Sequence, residues 1–467
     1  MEITKKEVLK NVLLEKNTTF LLGAGASVPF FSSLGNFELI LSHDKLTTSG
    51  RKLIKTIFYK LSISDNSYLI QYLNGHCFCG EKSELMLNIL NEYTRFIHNI
   101  LEFLKTRNSR VSPKRVNIIT TNYDLFLESA IETSLEQNPR IFFNDGANGY
   151  VKRILNTDNF NKTLLYSGIF DNYSSEMPVI NLIKCHGSIN WKEYLNSKDN
   201  KPKIQITPSS SIIKEINQEL SDFWNKFEKD IEGYTIQGKK GFSSSSEFID
   251  LLNKTDIDCL DELIEDINEL SGYSECELNK LVSKIENLQI VLPTKKKFQT
   301  TLIEEHYFNM LRFLSYELEK EQSTLIVFGF SFYDEHIADI VQRSLNNPNL
   351  IVIVFCYQNG DKEKIITRFN FSNHSIPKNI VFIEPDDFLI EEIDQEILNK
   401  RDWEASYYTF IKSKNNIKIY TREIGIYKGN SSEIPVLNFS SLNACLEEEF
   451  TNRFQPLVLN KEGEQHG

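Results

Sequence analysis

Seven short apolar runs, spread over most of the chain, constrain the fold more than any other feature of the sequence. Most of them show no alternation of apolar and polar residues, which is typical of parallel strands that helices cover on both faces. The runs lie at residues 18–22, 115–120, 179–185, 289–292, 324–328, 350–357 and 379–383. Residues 336–345 have apolar residues at helical spacing and complete a βαβ unit between the fifth and sixth runs. The sequence therefore predicts an α/β fold with a doubly wound, mostly parallel sheet.

Segments outside these runs predict further helices and a C-terminal extension. Residues 37–110 are mostly at helical spacing. Residues 256–286 carry ten acidic residues against Lys280 and Lys284, with apolar residues on one helical face, which indicates an acidic amphipathic helix. Short runs at 409–411 and 417–420 resemble strands. We therefore expect a sheet domain, an inserted helical subdomain and a small α+β extension, at residues 1–195 with 289–398, 196–288 and 399–467 respectively.

Composition excludes several classes of protein. Aromatic residues make up 12% of the 467 residues, which excludes a mainly disordered chain. A net charge of −12 argues against a dedicated nucleic-acid binder. No apolar run reaches the ~18 residues of a membrane span, and the first residues lack a signal-peptide core, so we expect a soluble cytoplasmic protein without membrane contact. Among seven cysteines only Cys77 and Cys79 are close, and no CxxC occurs, so neither a disulfide framework nor a metal site is expected.

The first run ends in the segment GAGAS, residues 23–27. Glycines at such a strand end let backbone amides approach a pyrophosphate closely. The segment lacks the third glycine of the dinucleotide-binding fingerprint, and Pro29 follows where a helix would begin. A tight strand exit that binds no ligand is an equally good interpretation of this glycine pair.

Polar residues also follow the second and third runs. Asn122 and Asp124 lie in the segment TTNYD, where strand ends of an open α/β sheet line the ligand crevice. The preferred interpretation of Asp124 alone is the cap of the next helix, whereas Asn122 suits the orientation of a water or a ribose hydroxyl. His186 lies in KCHGS, a position suited to a general base. Its neighbour Cys185 is expected to be a small buried residue rather than a nucleophile.

The fifth and sixth runs end in similar polar segments. Gly329 and Ser331 belong to GFSF, and Asp334 shortly after them is expected to cap the following helix. Asn359 could bond a ribose, although Asn359 and Gly360 also form an ordinary turn sequence. Each segment alone has a structural explanation. Their joint occurrence at four strand ends of one sheet favours a binding site.

Together the four segments resemble the motifs of the sirtuin family. Residues 23–27 are similar to its GAGxS phosphate loop, and residues 329–331 are similar to its GTS motif for ribose and phosphate. Asn122 and Asp124 match the Asn and Asp of its TQN-x-D motif, and His186 matches the histidine of its catalytic His-Gly. The resemblance covers roughly residues 15–390, interrupted by the insertion. It implies a Rossmann-like sirtuin fold for the sheet domain, which would bind NAD.

The chain departs from the deacylase members of that family. It lacks the four paired cysteines of their zinc module, the arginine of their GIPDFR segment is replaced within residues 28–32, and Thr121 stands in place of the motif glutamine. These departures disfavour protein deacylation. The segments GFSFYDEH and VLPT, at residues 329–336 and 291–294, are similar to bacterial sirtuin-like proteins of anti-phage systems, which hydrolyse NAD to starve an infected cell.

The resemblance implies an NAD hydrolase that releases nicotinamide and ADP-ribose, with NAD as substrate and without a metal. His186 would be the base that acts on a ribose hydroxyl or a water, and Asn122 would orient that water or the ribose. The expected contacts with NAD are Gly23, Ala24, Gly25, Ser27, Thr121, Asp124, Gly329, Ser331 and Asn359.

Such an enzyme must be gated, because constant hydrolysis of NAD would kill its host. Members of that branch often work beside a second protein, such as a HerA-type ATPase, a short Argonaute or a nucleotide sensor. We expect a homo-oligomer without direct nucleic-acid contact, in which the insertion or the C-terminal extension is the gate. Two alternatives stay open, namely a non-catalytic module that binds NAD or ADP-ribose and regulates a partner, and, less favoured, a protein deacylase.

Overall fold

A seven-stranded sheet forms the centre of the protein, and all its strands are parallel. In chain order the strands are β1 (Asn17–Leu22), β2 (Arg115–Thr120), β3 (Phe142–Asn144), β4 (Val179–Lys184), β5 (Ser323–Phe328), β6 (Ile351–Phe355) and β7 (Ile380–Ile383). They lie side by side in the order β7-β6-β5-β1-β2-β4-β3. The computed structural model describes residues 13, 15–32, 35–76, 79–107, 113–196, 199–207, 211–232, 244–254, 259–271, 275–292, 301–369, 371, 376–398, 408–412, 416–421, 426–428 and 434–447.

Helices cover both faces of this sheet. In chain order they are α1 (Phe37–Leu41), α2 (Thr48–Ser62), α3 (Asn66–Leu73), α4 (Glu81–Thr106), α5 (Phe126–Gln137), α6 (Ser211–Glu232), α7 (Ser245–Lys254), α8 (Leu260–Ser271), α9 (Glu275–Ile285), α10 (Thr301–Glu319), α11 (Glu335–Ser344), α12 (Asp361–Arg368), α13 (Gln395–Leu398) and α14 (Phe439–Glu447). Side chains of a strand alternate between the two faces, so Phe20 and Leu22 join one core and Leu21 joins the other. The predicted α/β class with a doubly wound sheet is confirmed.

One predicted strand is wrong. Residues 289–292 do not join the central sheet, because this run crosses the loop after β4, where Ile290 forms a single antiparallel bridge with Gly187. The run is apolar because it is buried beneath that loop, not because it is a sheet strand. The seventh strand is instead β3, a three-residue edge strand beside β4. Pro293 and Thr294, the end of the VLPT segment, lie outside the described residues.

The segment between β4 and β5 begins as strand and continues as helix. Strands Trp191–Asn196 and Asp199–Ile206 form an antiparallel hairpin that pairs with Arg153–Leu155, which in turn pairs with Ala147–Asn148. The acidic region predicted as helix forms α8 and α9, and both pack against α2. Their buried residues, among them Ile264 and Ile267, join the core on one face of the central sheet.

The C-terminal region adds small strands and one core helix. The two predicted short strands are confirmed as Tyr408–Lys412 and Asn416–Thr421. They pair antiparallel, and the second also pairs with Leu389–Asp394. Strand Pro435–Leu437 reaches the end of β6, where the Leu437 amide donates to the Tyr357 carbonyl at 2.8 Å. Helix α14 then packs on α4.

Candidate functional site

The carboxyl ends of four strands lie in one row. In the register of the sheet, Leu22 of β1 pairs with Thr120 of β2 and with Phe328 of β5, and Thr120 pairs with Lys184 of β4. Of the four polar segments singled out in the sequence, GAGAS and GFSF begin directly after Leu22 and Phe328, and TTNYD and KCHGS begin at Thr120 and Lys184. The structure thus brings these segments to one edge of the sheet, which is where open α/β sheets bind ligands.

Residues 23–27 pack closely against the loop that follows β5. A Cβ atom on Gly23 would lie 2.4 Å from the Gly329 carbonyl oxygen, and one on Gly25 would lie 2.7 Å from the Gly329 Cα. Gly329 itself has a positive φ of 64°, a conformation that favours glycine. All three glycines therefore have a structural role, because larger residues would separate the two loops.

Backbone amides of this segment are paired within the protein. The Gly23 amide donates to the Phe328 carbonyl and the Gly25 amide donates to the Gly329 carbonyl, both at 3.0 Å. The Ala26 amide donates to the Gly23 carbonyl at 3.0 Å. Ala24 and Gly25 are exposed and present the outer surface of the turn to the crevice.

Asn122 is anchored to the same segment. Its Nδ2 donates to the Gly23 carbonyl at 3.1 Å and to the Ser27 hydroxyl at 3.2 Å. The Asn122 side chain also hydrogen-bonds the Tyr93 side chain, so it is fixed within the protein by three partners. The amide is 8% exposed, which fixes its orientation while leaving an edge open.

Ser27 points inward and contacts Asp124. Its hydroxyl donates to Asp124 Oδ2 at 2.7 Å and lies 2.8 Å from the Tyr93 hydroxyl. Only 1% of Ser27 is exposed. A ligand contact through this hydroxyl, as predicted from the sequence, would require the buried network to open.

Asp124 joins this network to a buried cation. Burial raises the pKa of the Asp124 carboxyl, while Lys184 and the hydrogen bond from Ser27 act in the opposite direction. The Lys184 ammonium donates to the Asp124 carbonyl and, at 2.8 Å, to Glu128 Oε1. Asp124 Oδ1 also accepts from the Phe126 amide at 3.2 Å, at the first residue of α5. The predicted cap role of Asp124 is nevertheless wrong, because Leu125 is the N-cap residue of α5 and has no side-chain cap hydrogen bond. Asp124 is thus an internal support of the Asn122 loop.

His186 is buried in the loop after β4. The next residue, Gly187, has a φ of 82°, and a Cβ there would lie 2.1 Å from the Gln289 carbonyl oxygen. The His186 carbonyl accepts from the Val291 amide at 2.8 Å, and the Tyr307 ring lies 5.7 Å from the imidazole. The misassigned run 289–292 therefore serves to hold the histidine loop.

The imidazole of His186 contacts a carboxylate that the sequence did not assign to the site. His186 Nε2 lies 3.0 Å from Asp334 Oδ2, an ion pair when the ring is protonated, although the geometry at Nε2 is not that of a hydrogen bond. The predicted cap role of Asp334 is confirmed, because its Oδ1 accepts from the His336 and Ile337 amides at 3.2 and 3.3 Å. Only the fold reveals the second role, since the two residues are distant in the sequence.

Neutral groups surround this pair. Burial is the main cause that raises the pKa of Tyr123, Tyr307 and the Cys185 thiol, and the Asp334 charge adds to each. These groups keep their protons at physiological pH. Cys185 is accordingly a buried thiol rather than a nucleophile, as expected from the sequence.

The remaining predicted contacts lie farther from this centre. Ser331 is exposed, and its carbonyl accepts from Arg368. Thr121 is half-buried, and its amide donates to the Leu22 carbonyl at 3.3 Å. The Asn359 side chain donates to Asp386 Oδ1 at 2.9 Å and accepts from the Asp386 amide at 3.2 Å. Asn359 therefore stabilises its own turn at the end of β6, which was the alternative interpretation.

Comparison with known proteins adds no family to these observations. No family model matches the chain, and no curated protein matches it. Within the described ranges, no group of three or more His, Cys, Asp or Glu side chains could hold a metal ion. The described helices also include none that is long and apolar enough to cross a membrane.

Proposed function

We propose that the protein is a sirtuin-like NAD hydrolase that cleaves the nicotinamide–ribose bond to give nicotinamide and ADP-ribose. The observation that carries this proposal is the convergence of the four strand-end segments. Asn122 and His186 each lie two residues beyond the paired strand ends Thr120 and Lys184. An amide and an imidazole are thereby supported at the same edge as the glycine segment that resembles a phosphate loop.

The chemistry requires a base and a positioned acceptor. Departure of nicotinamide leaves a transition state with oxocarbenium character, to which a water adds. His186 would take a proton from that water or from a ribose hydroxyl, and Asn122 Oδ1 would accept a hydrogen bond from the second hydrogen of the water. General base catalysis of this kind contributes about 10²–10⁴-fold.

NAD would be bound mainly through the outer surface of the glycine turn. Ala24 and Gly25 are exposed there, whereas the hydroxyl of Ser27 is engaged with Asp124. Gly329 and Ser331 flank this surface, since Gly329 packs on Gly25. We therefore propose that the pyrophosphate binds beside residues 24 and 25, with Ser331 as its neighbour. A contact with Asn359 would require its side chain to leave Asp386.

The biological setting of the proposal rests on the sequence resemblance alone. We propose that NAD depletion serves anti-phage defence, and that assembly into a homo-oligomer or contact with a second protein gates the activity. A HerA-type ATPase or a short Argonaute is the kind of partner that the resemblance favours. The protein itself would not need direct contact with nucleic acid.

Nicotinamide release from NAD tests the proposal directly. Purified protein would be assayed alone and with the proteins encoded beside it, together with His186→Ala, Asn122→Ala and the control His76→Ala at an exposed position. We expect the first two variants to lose at least about 100-fold in rate, and the control to keep the wild-type rate. Wild-type release by His186→Ala would refute the assignment.

Other outcomes of the same assay identify the alternatives. Tight binding of NAD or ADP-ribose without nicotinamide release under any condition would indicate the non-catalytic module. Release that depends on an acyl-lysine peptide would indicate a deacylase. Either outcome would reject NAD hydrolysis as the reaction of this protein.

A further inference from the structure

We infer that Asp334 is the positioning residue of His186: its carboxylate contacts the imidazole at Nε2, so that Nδ1 is the nitrogen left to act as the base. This inference rests on the proposed function and adds a positioning residue to the same site. Asp334 would not touch the substrate. It would act through the orientation and charge of His186.

The two oxygens of Asp334 have different partners. Oδ1 accepts from the first amides of α11, and Oδ2 lies 3.0 Å from His186 Nε2. The Asp334 side chain is 5% exposed and that of His186 is 11% exposed. The two cap hydrogen bonds fix the carboxylate at the start of α11. The position of its second oxygen beside the imidazole is therefore fixed as well.

The loop after β5 carries this carboxylate across the crevice. β1 and β2 lie between β5 and β4 in the sheet, so about 14 Å separates the strand that precedes Asp334 from the strand that precedes His186. Residues 329–334 bridge that distance. Residues 329–334 therefore contact both the glycine segment, through Gly329, and the histidine loop, through Asp334.

Charges around His186 make Asp334 the anion in contact with the ring. The other groups near the pair are Tyr123, Tyr307, Cys185 and, from α1, Glu38. The two phenols and the thiol stay protonated because burial raises the pKa of each. Lys184 points away, toward Glu128. Asp334 is therefore the carboxylate that contacts and orients the imidazole, as in dyads of imidazole and carboxylate.

Removing only the charge gives the sharpest test. Asp334→Asn keeps an amide oxygen that can cap α11, and Glu335→Gln, at the exposed neighbouring position, is the matched control for loss of one negative charge. We expect Asp334→Asn to lower kcat by at least about tenfold with little change in KM, because the ring loses its orientation. We expect Glu335→Gln to match the wild type.

The conservative variant distinguishes positioning from a structural role. Asp334→Ser can still cap α11, but it has no second oxygen to contact His186 Nε2. We expect it to lower kcat as Asp334→Asn does, with KM near the wild-type value and an unchanged free energy of unfolding in urea. A wild-type kcat in Asp334→Ser would show that capping alone accounts for the role of Asp334.

A measurement independent of activity separates this inference from the proposed function. The ring nitrogen chemical shifts of His186 report which nitrogen carries the proton, and NMR can record them at one fixed pH on the full chain, with His186→Ala to assign the signals. We expect the proton on Nε2 in the wild type and in Glu335→Gln, and a loss of this preference in Asp334→Asn, whose amide nitrogen cannot accept from Nε2. An unchanged preference in Asp334→Asn would overturn the inference even if NAD is hydrolysed. A lost preference in a protein that never releases nicotinamide would uphold the contact and reject the reaction.

Discussion

Both candidate catalytic side chains reach the crevice with one polar atom already held by the protein. Asn122 uses Nδ2 for the Gly23 carbonyl and the Ser27 hydroxyl, and His186 has Nε2 against Asp334. Both side chains are also buried, with 8% of each residue exposed. Such fixed groups lose little freedom when substrate binds, which is how a site is preorganised.

Ser27→Ala should destabilise the protein by about 1–3 kcal/mol. The change removes the donor to the buried Asp124 carboxylate and the acceptor of Asn122, and leaves both less satisfied. Urea unfolding followed by circular dichroism measures the effect. Ser331→Ala, at an exposed hydroxyl, is the control and should change the free energy of unfolding by less than about 0.5 kcal/mol. Equal effects of the two changes would contradict the network.

Asp124→Asn should change how stability depends on pH. Burial raises the pKa of the folded-state carboxyl above its ordinary value of 3.8, so between these two values the folded chain binds more protons than the unfolded chain. The wild type therefore loses stability as pH rises through that window, whereas Asp124→Asn lacks this loss. The difference in unfolding free energy between variant and wild type, measured in urea from pH 3.5 upward, should shift in favour of the variant as pH rises. A constant difference would mean that Asp124 is not the group responsible.

At the scale of elements, the run 289–292 packs closely against the loop after β4 at Gly187. Gly187→Ala adds a methyl group 2.1 Å from the Gln289 carbonyl at a φ of 82°. Gly360→Ala is its matched control, because Gly360 has a φ of 91° and open space around its Cβ position. We expect Gly187→Ala to destabilise by at least about 2 kcal/mol more than Gly360→Ala in thermal or urea unfolding, and to reduce nicotinamide release through His186. Equal destabilisation by the two changes would show that residues 289–292 can move away from the added methyl group without loss of stability.

Sequence periodicity predicts elements well where they are long and buried on both faces. The runs that became β1, β2, β4, β5, β6 and β7 were recognised from their apolar character, and their bounds agree with the structure within a few residues. β3 is not predicted, because three residues are too few to show a periodicity. The run 289–292 is wrongly predicted as a strand, because burial under a loop gives the same apolar pattern as a buried strand. The contact between His186 and Asp334 depends on strand order, which local patterns do not contain.

At the scale of the whole molecule, the C-terminal helix is part of the core rather than an accessory. The Phe439 ring lies 5.3 Å from Phe328 at the end of β5, and 4.7 and 5.4 Å from Tyr93 and Phe96 of α4. Arg95 pairs with Glu447, and Asn443 donates to the Glu92 carbonyl at 2.8 Å. Residues 435–447 are thus poorly suited to move as a gate without disturbing the sheet edge.

Phe439→Ala should cost about 3–5 kcal/mol of stability, because a ring that is 5% exposed leaves a cavity between β5 and α4. Phe170→Ala, at a ring that is 81% exposed, is the matched control and should cost less than about 0.5 kcal/mol. The change in free energy of unfolding in urea measures both. A small effect of Phe439→Ala would contradict this and would favour residues 435–447 as a gate.

The position of Phe439 also sets when the candidate site can be complete during synthesis. β1 is made early, whereas its neighbour β5 and the ring that covers β5 are made more than 300 and 400 residues later. At about 5–20 residues per second, the ribosome needs tens of seconds to deliver them. A nascent or prematurely ended chain therefore lacks both the carboxylate beside His186 and the aromatic cover of the sheet. We expect unfinished copies of the chain to lack the assembled candidate site.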